Sequence, residues 1–178
     1  MASVGMRQGF QGKGIQMKKI YVVAPALAGL LLGAALTFAP AASQAEDSAT
    51  VVHERQQLMK SFGGAMKTIG GYLQGGIGTT EEVAAAAGVI ADGAAKIPDL
   101  FPAGTSMNDV MDPKTGAKPA IWEQWDEFVA DSQTLKARAT TVQELALAMD
   151  DAALGDAFQS MGNDGCGGCH KVFREKLE

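Results

Sequence analysis

Met59, Phe62, Met66, Ile69 and Leu73 follow one another at steps of three, four, three and four residues. That spacing brings an apolar side chain back to one helical face at every turn, whereas a strand changes face at every residue. It predicts a helix from Val51 to about Gly75, roughly 37 Å long at ~1.5 Å per residue. An apolar seam of that length has to be covered, so the chain needs partner helices. Gly75-Gly76 and Gly78 end the first helix, because glycine relaxes readily into left-handed caps. Thr80-Glu81-Glu82 opens a second, with acids at the positive end of its dipole, and Val83, Ala87, Ile90, Ala94 and Ile97 form its inner face before Pro98 stops it. Residues 98–119 carry Pro98, Pro102, Pro113 and Pro119 with Gly104 and Gly116, and read as a long crossover loop.

A third helix starts near Pro119 and holds one stripe through Ile121, Trp122, Trp125, Phe128, Val129, Ser132, Leu135, Ala139, Val142 and Leu145, ending near Met149. Asp150 or Asp151 caps a fourth, with Leu154, Phe158, Met161, Cys169, Val172 and Phe173 facing inward; Gly162 and Gly165 weaken it. No segment shows sustained strand alternation. The expected fold is all-α, an antiparallel four-helix bundle with one long crossover. Its many Ala and Gly residues leave interior volume for something other than side chains to fill.

Charge is distributed unevenly. Residues 1–45 hold Arg7, Lys13, Lys18 and Lys19 and no acid, while residues 46–178 hold 11 basic and 20 acidic residues, a net charge of −9. Lys18-Lys19 precedes a charge-free run from Ile20 to Ala42, followed by Ser43-Gln44-Ala45. A short basic region, an apolar run and small residues at a cut site make a secretory signal peptide, so residues 1–45 are expected to be removed after Ala45 and the product exported to a bacterial periplasm. Met17 is a natural start, which makes residues 1–16 a possible upstream mis-start. The competing reading is an uncleaved membrane anchor; Pro25, Pro40 and the Ser-Gln-Ala site speak against it. The overall net charge of −5 argues against a nucleic-acid partner.

The chemistry is concentrated in Cys166-Gly-Gly-Cys169-His170, which contains both cysteines and one of the two histidines. Cys-x-x-Cys-His is the attachment signature of a c-type haem. Two thiols three residues apart on a helical turn project toward one edge of a porphyrin, each adds to one vinyl group, and the next residue places an imidazole under the iron. A structural zinc site would need a second ligand pair. A dithiol oxidoreductase would place the motif early, after a strand. A plain disulfide is the third rival.

With this motif on the last helix of an exported bundle, the chain resembles the class II cytochromes c, the family of cytochrome c' and its low-spin, cytochrome c-556-like relatives. The resemblance spans residues 46–178. It rests on Arg55-Gln-Gln-Leu-Met59, Leu100-Phe101-Pro102, Ile121-Trp122, and Cys166 to His170 followed by Phe173-Arg174. It implies one haem c in the bundle core, thioether bonds at Cys166 and Cys169, and His170 as proximal ligand. It also implies Arg55 near the propionates and Arg174 beside the proximal imidazole. Met59 matches the position facing the other side of the iron. There a methionine either ligates the metal or only shields it, with Met66 as a remoter candidate ligand.

Two functions follow. One is a periplasmic electron carrier with His/Met-ligated iron and redox partner proteins bearing a basic docking face. The other is a high-spin protein of the cytochrome c' type that binds NO or CO. Neither is an enzyme: the seam around Met59 is apolar and offers no acid/base group. The family includes monomers and homodimers packed through the first two helices. His53, six residues from Met59, is read as exposed or capping. Lys171 and Lys176 could steer a partner by charge, though surface lysine is the default reading.

Overall fold

The structure is a computed structural model that describes residues 41–177, with side chains from residue 47 onward. The charge-free run that forms the proposed leader's apolar core therefore lies almost wholly outside the described residues. No helix among the described residues is long and apolar enough to cross a membrane.

The first helix, α1 (Ala41–Gly75), begins ten residues before Val51. After Pro40 nothing in residues 41–50 breaks a helix, and four of them are alanine, the best helix former. Gly76 (φ 63°) and Gly78 (φ 96°) turn the chain, as the glycine run predicts. Helix α2 (Thr80–Ala94) is entered through a capping box in which Glu82 N–H donates to Thr79 Oγ1 and Thr79 N–H donates to the Glu82 carboxylate. Val83, Ala87, Ile90 and Ala94 are fully buried, and Ile97 nearly so.

The third helix is broken. A short α3 (Ala120–Glu123) precedes α4 (Trp125–Leu147), and Gln124 (φ −125°, ψ 48°) leaves the helical region between them. No Gly or Pro marks the break. Trp122 Nε1 donates to the Phe101 carbonyl at 3.0 Å, which anchors α3 to the crossover at the expense of helix continuity. The fourth helix has three parts: α5 (Asp151–Ser160), a π-helical turn (Met161–Cys166), and α6 (Gly167–Phe173). Asp150 is the cap, accepting from Ala153 N–H at 3.2 Å. The π-turn falls on Gly162 and Gly165, where helix propensity is weakest.

Helix α1 packs on α2, α2 packs most extensively on α4, and α4 carries α5, the π-turn and α6. This is the antiparallel four-helix bundle that the sequence predicts. The crossover is ordered by a 3-10 turn (Pro98–Leu100), by Met107 N–H donating to Ala117 O at 2.7 Å, and by Ser106 held on Asp109. Its far end pairs with the C-terminal segment: Lys118 N–H donates to Phe173 O, Glu175 N–H donates to Gly116 O, and Ala117 and Arg174 form one antiparallel bridge.

Candidate haem site

The seam of α1 divides into two faces. Phe62 and Ile69 are buried, with Phe62 against Gly93 of α2. Met59 and Met66, two turns apart, are half-buried on the edge toward the fourth helix. Met66 Cε lies 3.8 Å from where a Cβ on Gly162 would stand, and Phe158 Cζ lies 3.8 Å from that point on Gly70. Tyr72 donates to Asp151 at 2.9 Å. Helix α1 thus reaches the fourth helix through long side chains rather than by close backbone approach, in contrast to its packing on α2. Met59 and Met66 of α1 and Phe158, Cys166, Cys169 and Val172 of the fourth helix are half-buried apolar side chains packed against the core, and Met66 and Phe158 bridge the two helices.

The π-turn and the start of α6 place Cys166 and Cys169 one helical turn apart, both half-buried and both free thiols. Leu135 of α4 fixes the turn from behind: a Cβ on Gly165 would come within 3.0 Å of Leu135 Cδ1. Burial pushes the Cys166 thiol up. Burial first, then the charges of Asp131 and Cys166, push Cys169 up to about 12. A dithiol oxidoreductase needs the opposite, a thiol poised as thiolate near neutral pH. His170 is half-buried, and burial, followed by the positive charge of Arg174, lowers its pKa. The imidazole is therefore neutral at pH 7, the form that ligates a metal. Among the described residues no three His, Cys, Asp or Glu side chains come together, so the four-ligand set a structural zinc requires is not assembled.

The donor set fits a c-type haem. Two protonated thiols and a neutral imidazole lie on consecutive turns, with half-buried apolar side chains on the same helix and on α1. The residues that would hold it are Cys166, Cys169 and His170, with Met59 on the facing helix.

Arg55 packs against the crossover. It is 4% exposed, and its guanidinium is turned to the crossover: Nε donates to Leu100 O, Nη1 to Thr105 O at 2.8 Å, and Nη2 to Thr105 Oγ1. It also stacks 4.0 Å from the Phe101 ring centroid, and burial lowers its pKa to about 10. Arg174 is exposed, with its backbone in the bridge to Ala117. His53 is exposed, its ring within 3.2 Å of the Gln57 amide. Lys171 and Lys176 are exposed.

Two participants escape the sequence reading. Asp131 is a half-buried carboxylate whose charge reaches Cys169; its pKa is raised by burial and, secondarily, by Glu127. Its place three residues after Phe128 and four before Leu135, on the inward stripe, is the signal that could have found it. Thr105, the acceptor for Arg55, carries no such signal.

The family model for cytochrome c' matches residues 50–174. The chain belongs to the cytochrome c' family. A cytochrome c' of Pararhodospirillum photometricum is 35% identical over 124 residues, covering 70% of this chain and 95% of that one. A cytochrome c-556 of Agrobacterium tumefaciens (strain II Chrys) is also 35% identical, over 126 residues, covering 70% and 97%. A solved cytochrome c' described as showing ligand-controlled dimer dissociation superimposes with a TM-score of 0.66 at 29% identity, over 72% of this chain and 97% of that one. Cytochrome c' is itself a standard example of the four-helix bundle. Membership makes the chain a haem protein of the cytochrome c' family.

Proposed function

We propose that this chain carries one haem c, bonded through thioethers to Cys166 and Cys169 and ligated by His170, and that it takes up NO or CO on the side Met59 faces. The family match across residues 50–174, which includes both Met59 and the whole attachment motif, carries this reading. Residues 1–45 are the leader, cut after Ala45, and residues 46–178 work in the periplasm.

When bound, haem c would supply a one-electron couple and an iron able to take up a small gas. The chain's own residues do the rest. His170 keeps its ring lone pair because burial and Arg174 hold it neutral. Met59 forms part of an apolar wall that excludes water and favours a neutral diatomic molecule over a charged substrate. Arg174 follows His170 by one turn and keeps a cation beside the imidazole.

The second reading is electron transfer with Met59 as an iron ligand. It is favoured by the equal identity to a cytochrome c-556 and by the thioether at this position. The net charge of −9 over residues 46–178 would then select redox partners with a basic face. A homodimer has a candidate face in the groove of about 640 Å³ between α1 and α2, lined by Gly64, Gly71, Ala85, Ala86 and Val89.

Visible spectra of the purified protein in both redox states separate the readings. A high-spin ferrous spectrum with ready CO binding, little altered by Met59→Ala, is expected. A low-spin spectrum that Met59→Ala converts to high-spin would establish ligation instead. A processed protein without the added mass of haem would end both readings.

A further inference from the structure

We infer that Arg55 and Thr105 form a clamp that positions the Met59 turn of α1, making Thr105 a positioning residue for the haem face; the inference rests on the haem reading above. The guanidinium is buried, and among the described residues no carboxylate lies within ion-pair distance of it. The one ion pair among the described residues is Arg138–Asp164 at 3.4 Å. Its hydrogen bonds go instead to the crossover, at Leu100 O, Thr105 O and Thr105 Oγ1. Thr105 is 2% exposed and donates its own hydroxyl proton to Pro102 O at 2.6 Å, which leaves an oxygen lone pair toward Arg55. Phe101 forms the floor under the guanidinium, and its carbonyl is held by Trp122 Nε1. A planar fork with three acceptors on two residues fixes rotation as well as distance.

The clamp belongs to a continuous path. Met59 lies one turn beyond Arg55 on the same helix. Beyond Thr105, Met107 N–H binds Ala117 O, and residues 116–118 bind Phe173 and Glu175, directly after the turn that carries His170. One strap therefore ties the Met59 turn to the His170 turn, and Arg55 with Thr105 is its fastening on α1. The clamp differs from a charge effect of Arg55 on the haem: removing only the Thr105 hydroxyl leaves the cation in place.

Thr105→Val, a near-isosteric change, and Arg55→Gln are tested in the haem-loaded protein for CO association rate and spin-state balance. Amide hydrogen exchange is followed in parallel in the haem-free chain. Both variants are expected to shift CO association in the same direction, by roughly tenfold for a lost charge-assisted bond. Both should also raise exchange in the Arg55–Met59 turn as well as at Met107. Arg55→Lys, which keeps the charge and loses the fork, should behave like Arg55→Gln. Thr105→Val with haem attached, unchanged CO kinetics and unchanged exchange in α1 would overturn the clamp. Should Arg55→Gln fail to fold, Thr105→Val alone decides. Absence of haem from the unaltered protein would strike the functional reading instead, and mass spectrometry reads that separately.

Discussion

A Cβ added to Gly93 would overlap the Phe62 ring and stand 2.9 Å from Leu58 Cδ1. Helix α2 meets α1 across that hydrogen atom, and no larger side chain fits without moving a buried aromatic ring. Alanine favours a helix over glycine by about 1 kcal/mol, but overpacking a tight contact costs about 1–3 kcal/mol, so Gly93→Ala should be net destabilising by about 1 kcal/mol. Gly63 lies on α1 with no atom within 4 Å of its would-be Cβ, and there only the propensity gain remains. Gly63→Ala should therefore stabilise by about 1 kcal/mol. Urea unfolding of the two variants should move the midpoints in opposite directions. Two shifts of the same sign would mean that α1 and α2 do not pack through Gly93.

The elements differ in how they resist acid. Asp109 accepts from the Ser106 hydroxyl at 2.6 Å and from the Ser106 amide at 3.0 Å, and these bonds hold its carboxyl below the ordinary 3.8. Such a depressed group contributes stability above pH 3.8, and the contribution is lost as pH falls through its lower folded value. Amide protection at Ser106 should thus decline in acid before that of the middle of α4, and Asp109→Asn should reduce that pH dependence. Protection that falls equally in the crossover and in the middle of α4 would contradict this. The crossover also shows where sequence reading reaches its limit. The apolar stripe from Val83 to Ile97, on α2 and the turn that follows it, is legible because 3.6-residue periodicity is a local property, and every residue it selects is buried. The Cys166–His170 motif is legible because its spacing encodes its chemistry. Neither the break at Gln124 nor the partner of Arg55 is legible, because each depends on a contact with residues 100–105, far away in sequence. Periodicity does not register such contacts. The π-turn lies between: Gly162 and Gly165 mark weakness there, but not its form.

At the scale of the molecule, the helices pack unequally: α2 with α4 extensively, α1 with the fourth helix through a few long side chains. Helices α2 and α4 make the most extensive contact, and Ala84, Ala87 and Ala91 of α2 and Ala139 and Val142 of α4 are buried, four alanines and one valine. By contrast, α1 and the fourth helix are bridged by Met66 and Phe158, and the apolar side chains there are only half-buried. Half-buried apolar side chains still carry part of their hydration cost, about 25 cal/mol per Å² of exposed area, so a flat apolar group bonded at Cys166 and Cys169 would stabilise the fold by covering them. A Cys166→Ala/Cys169→Ala double variant prevents attachment and leaves the rest of the bundle in place. It should retain most of its helical circular dichroism, bind the dye ANS on the uncovered side chains, and melt at lower temperature than the haem-loaded protein. The loaded protein should not bind the dye. Met66→Ala in the double variant should weaken dye binding, since Met66 lies between α1 and the fourth helix, whereas Val89→Ala, in the groove between α1 and α2, should not. Equal dye binding with and without haem would mean that these side chains are not the ones the cofactor covers, and the site would then have to lie on another side of Cys166 and Cys169.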